Sequence, residues 1–264
     1  MTRKSTPKTS TEAPRVRSAE QIMSLAWQAY GEGRPREAEA LCARLVKARP
    51  DHAHGWFLRG LAAATLGKPK LALKHFERVR DAPDLLPALA QAGGRALLDL
   101  GDVEAALARF QEALSYRADD ASTYYFLGLA SLRQGAGEEA RRFLRQAAML
   151  EPKLGPAHYE LGVMALNAGQ AAQAVASFSA AVEHMAGSPE ALNNLGLAHQ
   201  SAGDAEAAEA SYRRALELNG NYAEAWFNLG VLLRATRSGE ANACFSRARK
   251  LNPALAEVLP DHDD

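Results

Sequence analysis

Pro189–Tyr222 reads PEALNNLGLAHQSAGDAEAAEASYRRALELNGNY, and its pattern decides the fold. Apolar residues recur every three or four positions on either side of Gly203-Asp204, so the stretch forms two short amphipathic helices joined by a turn. The same pattern returns along the chain. Stepping back 34 residues from Gly196 reaches Gly162, and equal steps reach Gly128, Gly94 and Gly60; one step forward reaches Gly230. Ala208 has matching rungs at Ala38, Ala72, Ala106, Ala140 and Ala174. A fixed period of this length marks a stacked array of helix pairs. Helices of a dozen residues are marginal alone, so each pair needs its neighbours.

Six repeats keep the register, at 19–52, 53–86, 87–120, 121–154, 155–188 and 189–222. A seventh, 223–255, is one residue short at Arg237-Ser238-Gly239. Counted from each repeat's first residue, the eighth position is Ala26 and then glycine in every later repeat. A tiny residue there lets the two helices of a unit cross closely, which offsets the roughly 1 kcal/mol cost of a mid-helix glycine. The alanine at the twentieth position is expected to face it. The fifteenth position is Gly33, Gly67, Gly101, Gly135, Gly169 and Gly203, where the turn needs a positive φ. Aromatics at the twenty-fourth position, Phe76, Phe110, Phe178, Tyr212 and Phe245, are expected to plug the gap to the next unit. Pro50, Pro152 and Pro253 end second helices. The third repeat departs from the pattern: Pro83, Pro87, Gly93 and Gly94 mark the junction before it as the softest in the array.

The conserved-looking combination is bulky residue, leucine, glycine, then alanine, aromatic and proline. It stands in the seventh repeat as Trp226, Leu229, Gly230, Ala241, Phe245 and Pro253, and in the fourth as Tyr124, Leu127, Gly128, Ala140 and Pro152. This resembles the tetratricopeptide repeat, over residues 19 to about 255. The resemblance implies an all-α solenoid, a right-handed superhelix of antiparallel helix pairs whose first helices line a concave groove. It also implies a non-enzymatic scaffold whose partner is a protein or peptide segment held in that groove.

On the first helices the fifth, ninth and twelfth positions share one face by the 3.6-residue period. In the family this face lines the groove, which makes Trp27, Phe57, Leu61, Arg95, Tyr125, Leu129, Tyr159 and Val163 the candidate ligand-binding residues. Phe57, Tyr125 and Tyr159 are expected to project into the groove rather than into the inter-helix core. Arg95 would supply a fixed charge. Asn194 and Asn228 at the sixth position resemble the asparagines with which the O-GlcNAc transferase superhelix holds a peptide backbone. Only Arg95 matches the basic and amide pattern of heat-shock chaperone adaptors, so that function is disfavoured.

Composition narrows the classes. The formal net charge is zero, which argues against broad electrostatic binding of nucleic acid. No run approaches the roughly 18 apolar residues of a membrane span. The start, MTRKSTPKTSTEAPRVRS, has basic residues but no apolar centre, so export is not expected and a cytoplasmic location is. Residues 1–18 read as a disordered basic tail and 256–264 as a short capping turn with an acidic tail. Cys42 and Cys244 sit at opposite ends of the array and read as buried small hydrophobes, not a disulfide. No phosphate loop, nucleophile elbow or paired C-x-x-C occurs, and His52 and His54 have no further ligand nearby, so no catalysis, cofactor or metal is expected. Two other readings are a docking arm acting in trans for a sulfotransferase- or glycosyltransferase-type enzyme, and a structural protein that self-associates through its incompletely capped ends.

Overall fold

The computed structural model describes residues 18–257, all of them in helices, turns and short connections. The expected basic tail over 1–17 and acidic tail over 258–264 lie outside the described residues. Two compact units divide between Tyr116 and Arg117. The first holds α1 (Ala19–Gly31), α2 (Pro35–Ala48), α3 (Ala53–Thr65), α4 (Pro69–Phe76), α5 (Leu86–Asp99) and α6 (Val103–Tyr116). The second holds α7 (Ala121–Gln134), α8 (Gly137–Leu150), α9 (Gly155–Asn167), α10 (Ala171–His184), α11 (Pro189–Ser201), α12 (Ala205–Leu218), α13 (Ala223–Leu233) and α14 (Ser238–Leu251). Within each unit odd-numbered helices pack on the even-numbered helix that follows, and that helix packs on the next pair.

Local chemistry sets the helix ends. Ser18 caps α1: its hydroxyl accepts from the Gln21 amide at 3.2 Å, and the Gln21 side chain accepts from the Ser18 amide at 2.9 Å. Asp120, Ser188 and Asp204 cap α7, α11 and α12 from one side only, each side chain accepting from a backbone amide three residues on. The six glycines at the fifteenth position all have φ between +69° and +83°, the left-handed region in which a side chain is strained. The seventh repeat lacks that glycine, and α13 is correspondingly short at 11 residues, with the Arg237 amide closing back on the Leu233 carbonyl at 2.8 Å.

The glycine at the eighth position has a different partner from the expected alanine. A Cβ on Gly94 would lie 2.6 Å from Phe110 Cε1, on Gly196 2.5 Å from Tyr212 Cε1, and on Gly128 2.6 Å from Leu144 Cγ. The residue at the twenty-fourth position therefore lies flat against the bare backbone of its own pair. It also reaches the next repeat, since Phe178 clusters with Ala198 and Leu195 of α11. Phe110, Phe178 and Tyr212 are fully buried.

The irregularity of the second and third repeats falls mainly on α4. It stops at Phe76 after 8 residues, against 14 in most second helices. Asp81 then takes φ +51°, and a 3-10 turn over Pro83–Leu85 leads into α5. Gly93 and Gly94 do not interrupt α5, which runs 14 residues. The lost turns of α4 leave a bay of about 430 Å³ over α5, lined by Leu73, Phe76, Leu89, Gly93 and Leu97 among others.

Candidate functional site

The candidate residues fall on the first helices of both units. In the first unit the structure brings Leu61 and Arg95 together around a cleft of about 70 Å³, with Tyr30, Thr65 and Asp99 on its other sides. The Tyr30 hydroxyl meets Thr65 Oγ1 at 3.1 Å and ties α1 to α3 there. Trp27 is 40% exposed and meets the Tyr30 ring edge-on at 6.1 Å. Arg95 is exposed at the cleft's mouth.

Phe57 does not belong with them. It is only 5% exposed, with its ring 5.9 Å from that of Phe76 and in one cluster with Leu85, Ala92 and Ala96. The expectation that it projects clear of the core is corrected here. The next first helix presents the small Ala92 and Ala96 to this cluster, with Leu89 beside them, and the Phe57 ring fills the space.

In the second unit, Tyr125, Leu129, Tyr159, Val163, Asn194 and Asn228 are all half-buried on α7, α9, α11 and α13. Tyr125 packs against the Phe126 ring at 5.3 Å. Tyr159 stands edge-on to Phe178 at 5.7 Å, so its ring is partly engaged by the core while its hydroxyl stays on the face. That hydroxyl accepts from Asn194 Nδ2 at 2.8 Å. Asn228 Nδ2 donates to Asn193 Oδ1 at 2.9 Å, and Asn193 Nδ2 points to Asn194 Oδ1 at 3.4 Å. A row of amides thus runs from α13 across α11 to the phenol of α9. Asn194 and Asn228, half-buried, each keep an N–H or an oxygen lone pair for another group.

Asn193, 4% exposed at the centre of the row, was not singled out by the sequence reasoning. Its signal was the tandem Asn193-Asn194, which puts one amide under the surface to hold its neighbours. Glu160 was missed as well. It occupies the sixth position, as Asn194 and Asn228 do, and burial pushes its carboxyl above the ordinary carboxylate range. Burial, and after it the charge of Glu160, also raises the Tyr159 hydroxyl.

The cysteines and the paired histidines that the sequence singles out are engaged locally. Burial pushes the Cys42 thiol up to about 12 and raises that of Cys244, so neither offers a thiolate. His52 Nδ1 accepts from the Gly55 amide at 3.1 Å as the cap of α3, and His54 Nε2 meets Asp84 Oδ2 at 2.9 Å. Among the described residues no three His, Cys, Asp or Glu side chains gather as a metal site would need, and no helix is long and apolar enough to cross a membrane.

Comparison with known proteins agrees with the repeat geometry. Models of the tetratricopeptide repeat match residues 23–85, 189–222 and 211–250, and one described as TPR repeat matches 94–135. The chain belongs to the tetratricopeptide repeat family, and its fold is that family's all-α solenoid. Among curated proteins it is similar to cellulose synthase operon protein C of Komagataeibacter xylinus, 38% identical over 85 residues, which is 32% of this chain and 6% of that protein. The chain therefore spans only a small part of the curated relatives it matches. Among solved structures, pilF of Pseudomonas aeruginosa aligns with a TM-score of 0.68 at 15% identity, covering 78% of this chain and 94% of that one. A chain of the APC/C hetero-tetramer Cut9-Hcn1 aligns with a TM-score of 0.70 at 18% identity, covering 89% of this chain and 49% of that one. These likenesses are of fold.

Proposed function

We propose that this protein is a non-enzymatic scaffold that holds an extended segment of a partner protein on the face of its first helices. The observation that carries this reading is the amide row from Asn228 to Tyr159, which presents donors and acceptors across three neighbouring first helices. An extended backbone offers complementary groups at a regular spacing, and half-buried rings at Tyr125 and Tyr159 offer contact area with few rotamers to freeze. Trp27 with Leu61 and Arg95 plays the same part in the first unit.

Photo-crosslinking in cells tests it. A photoreactive residue placed at Trp27 or at Val231, each 40% exposed on a first helix, should give discrete adducts. The same residue at exposed Glu206, at the start of second helix α12, should give none. Adducts no stronger at the two face positions than at Glu206 refute the reading.

A second reading is a docking arm beside a separate enzyme. The likeness to a protein of a cellulose synthase operon favours it, because the matched segment there belongs to a much longer protein. Recovery of an enzyme as the crosslinked species at Val231 would support this form of the scaffold role.

A further inference from the structure

Some charges on the second helices of the second unit are paired: Arg142 meets Glu139 at 3.2 Å, and Glu209, Arg213, Arg237 and Glu240 form a four-membered network, while Glu183, Glu206 and Glu217 have no ion pair among the described residues. Three unpaired carboxylates stand on neighbouring first helices. Among the described residues Glu160 on α9, Glu190 on α11 and Glu224 on α13 have no ion pair; Glu190 only accepts from the Ser188 hydroxyl at 2.9 Å.

These three carboxylates border one strip. Helices α9 and α11, and α11 and α13, pack side by side. Glu160 and Glu190 both bear on the Tyr159 hydroxyl. Tyr222, which caps α13, is pushed up to about 12 by burial first and then by Glu224, Glu190 and Tyr159. Arg234, just past the end of α13, follows Glu224 by ten residues, about 15 Å along a helix. That exceeds a Debye length of about 8 Å at physiological salt, so Arg234 does not neutralise the strip. Glu160 is the half-buried member, a carboxylate with neither a cation nor a hydrogen-bond donor beside it.

We propose that this edge of the second unit docks a lysine- or arginine-bearing extended segment of a partner protein, with one cation seated against Glu160 and others along Glu190 and Glu224. The inference rests on the peptide-binding reading above and adds the chemistry of the ligand. Charge complementarity selects the occupant. A cation at Glu160 supplies the counter-charge that the fold omits, while Asn194 and Asn228 meet the segment's backbone. Adjacent first helices lie roughly 10 Å apart, and a chain in the extended polyproline II form advances about 3.1 Å per residue with three residues per turn. One cation in every three residues therefore returns to the same side and matches the carboxylates.

The probes are three fluorescein-labelled nonapeptides, acetylated and amidated: (Val-Lys-Ala) three times, and the same with Ser or with Glu for Lys. Anisotropy titrations use the full chain at pH 7.5 and low salt. The lysine peptide should bind at least about tenfold tighter than the serine peptide, as several partly screened ion pairs would give. The triple variant Glu160→Gln, Glu190→Gln, Glu224→Gln should lose that advantage, and so should the exposed pair Glu190→Gln, Glu224→Gln in part. Glu138→Gln, Glu206→Gln, Glu217→Gln removes equal charge from the second helices and should keep it. Undiminished lysine-peptide binding by the triple variant, or equal loss in the second-helix variant, overturns the proposal. If lysine and serine peptides bind alike and Val231→Arg abolishes both, the groove reading stands and this inference falls. Binding of none of the three overturns both.

Discussion

Two adjacent glycines of α5 are predicted to respond oppositely to the same substitution. Gly93 and Gly94 share a helix and helical φ, so replacing either by alanine gains intrinsic propensity of about 1 kcal/mol. Their surroundings decide the sign. A Cβ on Gly93 meets nothing within 4 Å and points toward the bay left by the short α4. Gly93→Ala should therefore stabilise, by about 0.5–1 kcal/mol. A Cβ on Gly94 would stand 2.6 Å from Phe110 Cε1 and 2.8 Å from Cδ1. The ring would have to retreat by roughly 0.8 Å to regain ordinary contact, and Phe110 is fully buried with no free side to move into. Overpacking of this kind costs about 1–3 kcal/mol, which exceeds or cancels the gain, so Gly94→Ala should destabilise by up to about 2 kcal/mol. At about 2–4 °C per kcal/mol in a chain of this size, the two variants should melt roughly 1–12 °C apart. Thermal and urea unfolding followed by circular dichroism measure this, with an unchanged urea slope as the check that only stability has moved. Equal losses in both variants would show that Gly93 has a packing role absent from this structure. Equal gains would show that the Phe110 ring yields freely, and the account of the eighth-position glycine would fail.

Phe57→Ala should behave as a core truncation, lowering stability by about 3–5 kcal/mol, because the ring is 5% exposed between Phe76 and α5; an unfolding midpoint within 1 °C of the parent would return Phe57 to the groove. Glu160 has its folded pKa raised by burial, so the folded state binds the proton more tightly than the unfolded chain, and stability falls as pH rises from the ordinary carboxylate value through the raised one. Glu160→Gln should raise Tm at pH 7 and lose that advantage below the ordinary value; a lower Tm at pH 7 would contradict the desolvated state assigned to it. His75, 7% exposed and with its ring 5.6 Å from that of Trp56, has its pKa lowered by burial and then by the Arg59 charge, with Glu39 opposing. Its contribution is complete above the unfolded histidine value of about 6.5 and is lost as pH falls through the folded one. His75→Phe should flatten the fall in Tm between pH 7.5 and 5.5; a fall as steep as the parent's would clear His75 of that role.

How far the sequence could be read depended on whether a position repeats. Gly33 and its five equivalents announce a left-handed turn because the same requirement recurs every 34 residues, and all six have the positive φ it demands. The alternation of Gly94 with Phe110, or Gly196 with Tyr212, was legible as two conserved-looking slots, but not as one contact. Periodicity gives the face of a helix on which a residue lies and leaves open how far a neighbouring ring leans over it. The candidate site suffers more from this limit. Phe57, Tyr125 and Tyr159 hold the same position in their repeats, yet Phe57 is buried and the other two are half-buried. The difference arises outside their own helices, in the short α4 and the small Ala92 that draw Phe57 inward, and no pattern confined to the fifth position carries that information. Asn193 and Asn194 show the same dependence in polar form. One is buried and donates or accepts only to its neighbours, the other keeps the surface, and a rotation of about 100° along the helix separates the two roles. Function in such an array therefore resides in departures from the repeat. Where the sixth position changes from asparagine to Glu160, the backbone stays the same and the chemistry it presents is inverted, from a neutral hydrogen-bonding amide to a carboxylate that burial leaves short of a counter-charge.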